Sequence, residues 1–161
     1  MSNEREDPLI AWAKKQQPKK LTTTRKNKKP EKIVESLVMA WLTANGFDCN
    51  VVESKATYNP KIGRYMSSPA IPGMSDIIGN DRFGNAVYVE LKALGRKSTV
   101  SQKQWQFLTR KIETNCFAVV IDSVELLNEY YFRWRELSVI DRRYYLRNAL
   151  GDKYGQEEKE N

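Results

Sequence analysis

The chain has 161 residues and a net charge of +7, which predicts a single core with tails and a polyanionic partner. Histidine is absent, so Ser-His and Cys-His triads, HEXXH zinc sites and histidine proton shuttles are excluded. No Gly-rich phosphate loop or dinucleotide fingerprint is present either. Any chemistry must therefore come from carboxylates, Lys, Tyr, Ser or Thr, or from a metal held by oxygen ligands, which favours Mg²⁺ or Mn²⁺ over zinc.

Compartment and redox state follow from a few further features. The sequence has no run of about eighteen apolar residues, and its polar, acidic start does not resemble a signal peptide. We therefore expect a cytoplasmic chain with no membrane partner. Cys49 and Cys116 lie in predicted strands without metal-ligating neighbours, and we expect buried free thiols, with a disulfide as the alternative.

Residues 1–29 are predicted to form a flexible basic arm. An apolar patch at residues 9–13 is followed by a series of basic residues: Lys14, Lys15, Lys19, Lys20, Arg25, Lys26, Lys28 and Lys29. A segment of this composition buries too little apolar surface to order itself. We expect it to bind phosphates without sequence preference, Lys28 and Lys29 included, and the alternative is a solvated tail or a localisation tract.

The first predicted helix opens at Pro30 and Glu31, because Pro suits the first helical position and an acid suits the first turn. Apolar residues then recur at helical spacing until Asn45 and Gly46 end the helix. Glu35 borders the apolar stripe, and the pattern fits a solvated side chain and a site residue equally well.

A short strand is predicted at residues 47–52, and the next twenty residues have no clear period. Residues 53–72 interleave basic side chains with tyrosines. A connection of this length inside a domain is usually functional or disordered, and such a mixture can combine phosphate contacts with base stacking. We expect a substrate-facing loop or ribbon in which Lys61, Arg64 and Tyr65 contact nucleic acid.

The next segment predicts a β-hairpin that brings Asp76, Glu90 and Lys92 together. Residues 79–85 are rich in Gly, Asn and Asp, which suit a turn. With the turn centred near Phe83, Asp76 lies opposite Glu90, and Glu90 and Lys92 share its face because side chains alternate along a strand. The other face carries the apolar residues Val87, Val89 and Leu91. A slip of one residue would bury the charges. The alternative without a functional site is a half-exposed strand with a surface ion pair between Glu90 and Lys92.

The remaining elements follow in quick succession. Residues 93–98 form a basic loop in which Arg96 and Lys97 are expected to contact phosphates. A helix then starts with a capping box formed either by Thr99 and Gln102 or by Ser101 and Gln104. We predict a buried strand at residues 116–121, helices at 124–134 and 137–149, and an acidic tail at 151–161.

This order of motifs resembles the PD-(D/E)xK nuclease superfamily, most closely its VRR-NUC branch, which is similar to archaeal-type Holliday junction resolvases. The likeness covers about residues 30–127. It implies an α/β fold with a restriction-endonuclease-like core, in which a mixed central β-sheet is flanked by helices and residues 30–150 form the nuclease domain. One departure is Ser75, which stands where the family usually has Pro.

The resemblance also implies roles for individual residues. Asp76, Glu90 and Glu35 would be metal ligands for Mg²⁺ or Mn²⁺. Lys92 would orient the attacking water, and Gln102 would help to position the metal or the substrate. Beside two carboxylates Lys92 would stay protonated unless desolvated, so we favour orientation and charge stabilisation over general-base action.

The leading expectation is a metal-dependent endonuclease acting on DNA junctions, flaps or nicks. A sequence-specific restriction or homing enzyme on the same fold is one alternative, and a non-catalytic DNA-binding protein is another. Cutting both strands, or a two-fold junction, needs two sites, which favours a homodimer.

Overall fold

The computed structural model describes residues 30–52, 57–66 and 71–154. The predicted arm with Lys28 and Lys29, and the acidic end of the chain at 155–161, lie outside these residues. The helices are α1 (Pro30–Ala44), α2 (Gln102–Glu113), α3 (Val124–Glu136) and α4 (Val139–Leu150), with a short 3-10 helix at Lys97–Thr99. The strands are β1 (Asp48–Val51), β2 (Thr57–Asn59), β3 (Arg64–Met66), β4 (Ile77–Asn80), β5 (Ala86–Leu91) and β6 (Phe117–Ile121).

Four strands form a mixed sheet in the order β1-β4-β5-β6, and β2 pairs with β3 in a separate hairpin. The β1–β4 and β4–β5 pairs are antiparallel, whereas β5 and β6 run parallel. In the β4–β5 pair Ile77 lies opposite Val89 and Gly79 lies opposite Val87. The predicted register is therefore confirmed, because the same pairing places Asp76 opposite Glu90.

Helices cover both faces of this sheet. Val87 of β5 pairs with Phe117 of β6, and the Phe117 ring contacts Tyr131 and Trp134 of α3. Trp41 of α1 packs against the same group of rings. On the opposite face of the sheet, α2 covers the residues that alternate with Val87 along β5 and with Phe117 along β6. The chain is thus a mixed α/β domain with helices on both sides of a four-stranded sheet.

The charged face of β5 is buried, which corrects the expectation that this register leaves its charges exposed. Tyr88 contacts the Phe107 ring of α2 with the ring centroids 5.7 Å apart, so α2 lies on this face. As a result Glu90 is only 1% exposed and Lys92 only 9%. The simple surface ion pair is therefore wrong for Glu90 and Lys92.

The two cysteines are free, as the sequence predicts, but they are less buried than expected. Cys49 and Cys116 are free, but both are half-buried rather than buried. Burial raises the pKa of the Cys49 thiol to about 11, which keeps it protonated. Of the helices in the described ranges, none has the length and apolar character needed to cross a membrane.

The β4–β5 turn is held by the buried carboxylate of Asp81. Its Oδ1 accepts hydrogen bonds from the backbone N–H groups of Phe83 and Asn85 at 2.9 and 2.8 Å. Its Oδ2 accepts from the Asn85 side chain at 2.7 Å and from the Tyr131 hydroxyl at 2.9 Å. Although burial alone would raise the pKa of Asp81, these donors lower it overall. The turn that sets the hairpin register is therefore fixed to α3.

We expect Tyr131→Phe to lower the free energy of unfolding by about 2 kcal/mol, since it removes a buried hydrogen bond to a charged group. Urea unfolding followed by circular dichroism measures the change. The matched control is Tyr144→Phe, because Tyr144 is 71% exposed and its hydroxyl can be solvated. Equal stabilities for the two variants would contradict this role of the Tyr131–Asp81 bond.

Candidate functional site

Asp76 is fixed at the point where β4 begins. Its carbonyl oxygen accepts a hydrogen bond from the Val52 N–H at 2.7 Å, which ties it to the end of β1. Its side-chain Oδ2 accepts from the Leu91 N–H of β5 at 2.8 Å. The carboxylate therefore lies across the hairpin, beside the Glu90 side chain of the neighbouring strand.

Glu90 and Lys92 form a buried ion pair on the same face. The Lys92 Nζ donates to Glu90 Oε1 at 2.8 Å, and the two side chains are 11% and 2% exposed, respectively. The other carboxylate oxygen, Oε2, is buried and has no hydrogen-bond partner among the described residues. An unpartnered carboxylate oxygen in a buried position is costly unless a cation or a proton satisfies it.

Burial raises the proton affinity of both carboxyl groups, and Asp76 raises that of Glu90 further. Burial raises the pKa of Glu90 to about 7, the nearby charge of Asp76 adds to this, and Lys92 opposes it. Burial likewise raises the pKa of Asp76, against the Leu91 N–H and Lys92. Each group influences the pKa of the other, as neighbouring acids on adjacent strands do. Such a pair binds either a proton or a cation.

Gln104 is hydrogen-bonded to this cluster. Its Nε2 donates to Glu90 Oε1, and its Oε1 accepts from Lys92 Nζ at 3.3 Å. The same Oε1 accepts from the Ser101 N–H at 3.1 Å, while Ser101 Oγ accepts from the Gln104 N–H. Ser101 and Gln104 thus form the capping box of α2. Gln102 is exposed at the first position of α2.

The start of α2 is held by residues that follow α4. The Trp105 indole N–H donates to the Gly151 carbonyl at 2.8 Å, and the Tyr154 hydroxyl donates to the Val100 carbonyl at 3.0 Å. The rings of Trp105 and Tyr154 also meet edge to face. Residues 151–154 therefore pack against the turn that presents Gln104, so the packed part of the chain extends past the predicted boundary at residue 150.

Glu35 lies on α1 with its side chain 21% exposed, and both of its carboxylate oxygens lie 2.7 Å from the Lys32 Nζ. A different acid of the same helix acts on the cluster: the charge of Glu31 contributes to the raised pKa of Asp76. Glu31 and Glu35 are four residues apart, so they share a face of α1. Glu35 stays the predicted site residue, and the charge of Glu31 makes the smallest contribution to the pKa of Asp76.

The segment before Asp76 packs tightly against α2. Gly73 has a φ of +83°, and a Cβ built on it would lie 2.5 Å from the Lys103 carbonyl oxygen. Only glycine fits this close approach, which joins the loop that carries Asp76 to the helix that carries Gln104. Ser75 is 1% exposed, and its hydroxyl has no hydrogen-bond partner in the described ranges.

The predicted nucleic-acid residues of the 53–72 segment lie on the β2–β3 hairpin. Lys61, Arg64 and Tyr65 are exposed there, and the Tyr58 and Tyr65 rings pack together with centroids 5.3 Å apart. This hairpin is inserted between the end of β1 and the start of β4, the end of the sheet at which Asp76 lies. A paired, exposed tyrosine surface with basic neighbours thus lies, in chain order, between the β1 and β4 ends that flank Asp76.

The basic loop after β5 is less open than its sequence indicates. Arg96 is exposed, but Lys97 is half-buried. The Lys97 Nζ donates to the Tyr130 hydroxyl and lies 4.7 Å from the centre of that ring. Lys97 is therefore tied to α3, whereas Arg96 is the loop's accessible cation at this position.

The residues present fit a hard divalent cation only in part. Asp76 and Glu90 supply oxygen donors, and the unpartnered Oε2 of Glu90 is the type of atom that such a cation binds. Within the described part of the chain, however, no group of three or more His, Cys, Asp or Glu side chains is arranged to hold a metal. Further oxygen ligands would have to come from water or substrate, as is usual for Mg²⁺.

Comparisons of the chain with protein-family models, with curated proteins and with solved structures give no match. The geometry of the site therefore carries the functional argument by itself.

Proposed function

We propose that the chain is a metal-dependent endonuclease that hydrolyses DNA phosphodiester bonds at the Asp76–Glu90 pair. The observation that supports this most is the position of the half-buried Asp76 carboxyl beside the buried Glu90 carboxyl. Lys92 pairs with one oxygen of Glu90, and the other oxygen has no hydrogen-bond partner among the described residues. Burying two acids side by side destabilises a fold, so a cluster of this kind is typical of functional sites. The positive net charge adds a reason to expect a phosphate-bearing substrate.

Asp76 and Glu90 would hold Mg²⁺ or Mn²⁺, which would neutralise their mutual repulsion. When bound, such a cation polarises a phosphate oxygen and lowers the pKa of the attacking water. Glu31 and Glu35 lie on the helix that approaches Asp76, and either would add negative charge beside it. Glu35 stays a proposed ligand, although its carboxylate engages Lys32.

Lys92 and Gln104 would act on the substrate side of the reaction. The Lys92 ammonium lies between Glu90 and the Gln104 amide, so its position is fixed before substrate arrives. A fixed positive charge stabilises the negative charge that develops on phosphate oxygens in the transition state. Gln104 holds both Glu90 and Lys92, and its role is to position them.

DNA would approach from the end of the sheet where Asp76 and the β2–β3 hairpin lie. Lys61, Arg64 and Arg96 would contact phosphates, and Tyr65 would stack on an exposed base. Base stacking and phosphate contacts carry little sequence information, which favours recognition of junctions, flaps or nicks by their shape. Because such substrates present two strands to cut, we propose that the chain acts as a homodimer.

The experiment is a cleavage assay on linear duplex, flap and four-way-junction DNA with Mg²⁺ or EDTA. Wild type and Asp76→Ala are compared, with Glu136→Gln as a control because Glu136 is an exposed acid paired only with Arg133 at 3.4 Å. We expect Mg²⁺-dependent cleavage by wild type and the control, and none by Asp76→Ala. Cleavage by Asp76→Ala at the wild-type rate would rule out this site.

One observation favours a second candidate, a non-catalytic DNA-binding protein. Two carboxylates rather than three meet in the described part of the chain, and one oxygen of Glu90 is already engaged by Lys92. In that case the cluster is a buried structural network. DNA binding by the wild type without cleavage of any of the three substrates would favour this candidate over the enzyme.

Gln104→Leu should lower the cleavage rate by about 10- to 100-fold, since residues that orient a metal ligand have effects of this size. Gln102→Ala and Gln106→Ala are matched controls from the same helix, and both side chains are exposed. Single-turnover rates at saturating Mg²⁺ measure the effect, and thermal unfolding checks that α2 is intact. A larger loss for Gln102→Ala than for Gln104→Leu would restore the sequence-based assignment.

Replacing Lys61 and Arg64 together by Gln should lower the slope of log binding constant against log salt concentration by about 2, since each phosphate contact contributes about 0.9. Fluorescence anisotropy with labelled junction DNA, in EDTA to prevent cleavage, measures the slope. Arg133→Gln is the control, since Arg133 lies on α3 and pairs with Glu136. An unchanged slope for the double variant would show that the β2–β3 hairpin does not contact phosphates.

A further inference from the structure

An apolar groove lies beside the first two turns of α1. It has a volume of about 570 Å³, within the range of pockets that enclose ligands. Ile33 and Leu37 of α1 form one wall, and Leu94 and Val124 lie across from them. Ile33, Leu37 and Leu94 are 49%, 57% and 76% exposed, which is unusual for neighbouring large apolar side chains. We call this feature the α1 groove.

The rim of the α1 groove is acidic. Asp122 and Glu125 line it, and Glu125 is exposed. Asp122 uses Oδ2 to accept a hydrogen bond from the Gly95 N–H at 2.9 Å, which fixes the loop that carries Leu94. An occupant of complementary chemistry would therefore be an apolar segment followed or preceded by basic residues.

We propose that the α1 groove binds residues 9–13 of the same chain. This segment reads Leu-Ile-Ala-Trp-Ala and is followed at once by Lys14 and Lys15. Its large side chains match the apolar walls, and the two lysines match Asp122 and Glu125 on the rim. The basic stretch 14–29 contains no comparable apolar run.

The linker length allows this intramolecular contact. Residues 14–29 join the segment to Pro30, and an extended chain of that length spans about 50 Å. Ile33 and Leu37 lie within about 10 Å of Pro30 along the helix, given a rise of 1.5 Å per residue. A covalent link of this length raises the effective concentration of the segment to the millimolar range, so a weak contact suffices.

Docking would bring residues 14–29 back along the first turns of α1, because Ile33 and Leu37 line the groove. The contact itself requires neither metal nor DNA, so it can be tested independently of the proposed nuclease activity.

The test is paramagnetic relaxation in the full-length chain with a nitroxide at Gln16→Cys, after Cys49 and Cys116 are replaced by Ala. Methyl resonances of Ile33 and Leu94 report on the α1 groove, and Ile140, which lines a separate cleft beside α4, is the remote reference. We expect at least severalfold greater broadening at the two groove methyls than at Ile140. Leu37→Glu should abolish the difference, whereas the matched variant Val139→Glu, at a similarly exposed apolar residue of α4, should leave it unchanged.

Three results would overturn the proposal. Equal broadening at Ile33, Leu94 and Ile140 would mean that residues 9–13 do not dock at the groove. Broadening that survives Leu37→Glu would place the contact elsewhere. Broadening that appears only between a spin-labelled chain and a separate isotope-labelled chain would assign the α1 groove to a second copy instead.

Discussion

Replacing Glu90 by glutamine should lower Mg²⁺-dependent DNA cleavage by about 1,000-fold or more. Electrostatic stabilisation by a bound metal supplies several kcal/mol in the transition state, and each 1.4 kcal/mol is about tenfold in rate. The amide keeps the size of the side chain but loses the charge that would hold the cation beside Asp76. It also leaves Lys92 without its ionic partner at 2.8 Å.

Single-turnover cleavage measures this loss, and two comparisons make it specific. Glu113→Gln is the matched control, because Glu113 is 56% exposed and lies 3.9 Å from the Arg147 Nε at the far end of α2. Circular dichroism and thermal unfolding show whether Glu90→Gln is folded. If a folded Glu90→Gln variant cleaves within tenfold of wild type, Glu90 is not a metal ligand.

Without divalent metal, the free energy of unfolding should fall by about 3 kcal/mol as the pH rises from about 5 to about 8. Burial and Asp76 raise the pKa of Glu90 from 4.5 to about 7, and burial raises that of Asp76. Between pH 4.5 and about pH 7, Glu90 keeps a proton in the folded chain that it has released in the unfolded chain. The stabilisation is complete below pH 4.5 and is lost as the pH passes through 7.

Because the chain has no histidine, no His side chain obscures this window. Urea unfolding in EDTA between pH 5 and pH 8 measures the slope, and Asp76→Asn should flatten it by removing the charge beside Glu90. Excess Mg²⁺ should restore stability at pH 8, since a ligand that binds only the folded state stabilises it. A stability that rises over this range, or a slope unaffected by Asp76→Asn, would contradict the coupled pair.

The hairpin register was predictable because two local signals agree. The Gly, Asn and Asp residues around Phe83 mark the centre of the turn, and alternation along β5 then fixes which residues face Asp76. The Asp81 carboxylate accepts backbone N–H groups within that same turn. Signals that lie within about fifteen residues of one another can be interpreted without knowledge of the tertiary fold.

The choice between Gln102 and Gln104 could not be made in this way. Both glutamines stand three residues after a Ser or Thr, so both fit a capping box. Tertiary packing decides which glutamine forms the capping box. Trp105 is buried, and its indole N–H donates a hydrogen bond to the Gly151 carbonyl, which sets the rotation of α2 about its axis. That contact joins residues far apart in the sequence, and no local pattern contains it.

The acids of α1 and the basic loop show the same limit. Glu31 and Glu35 lie one turn apart on α1, so the sequence does not say which approaches Asp76. The Lys97 side chain is engaged by Tyr130, thirty-three residues away. Likewise, the burial of Glu90 depends on α2 covering that face of the sheet. Each of these facts depends on how helices pack on the sheet.

The binding of Mn²⁺, followed by electron paramagnetic resonance, tests the central claim most directly. The wild-type chain and the control Glu136→Gln should each bind Mn²⁺ at the Asp76–Glu90 pair, and Mg²⁺ should compete for the site. Asp76→Ala should lose this binding. Mn²⁺ binding by Asp76→Ala with unchanged affinity, or no binding by the wild type, would contradict a metal site at this pair.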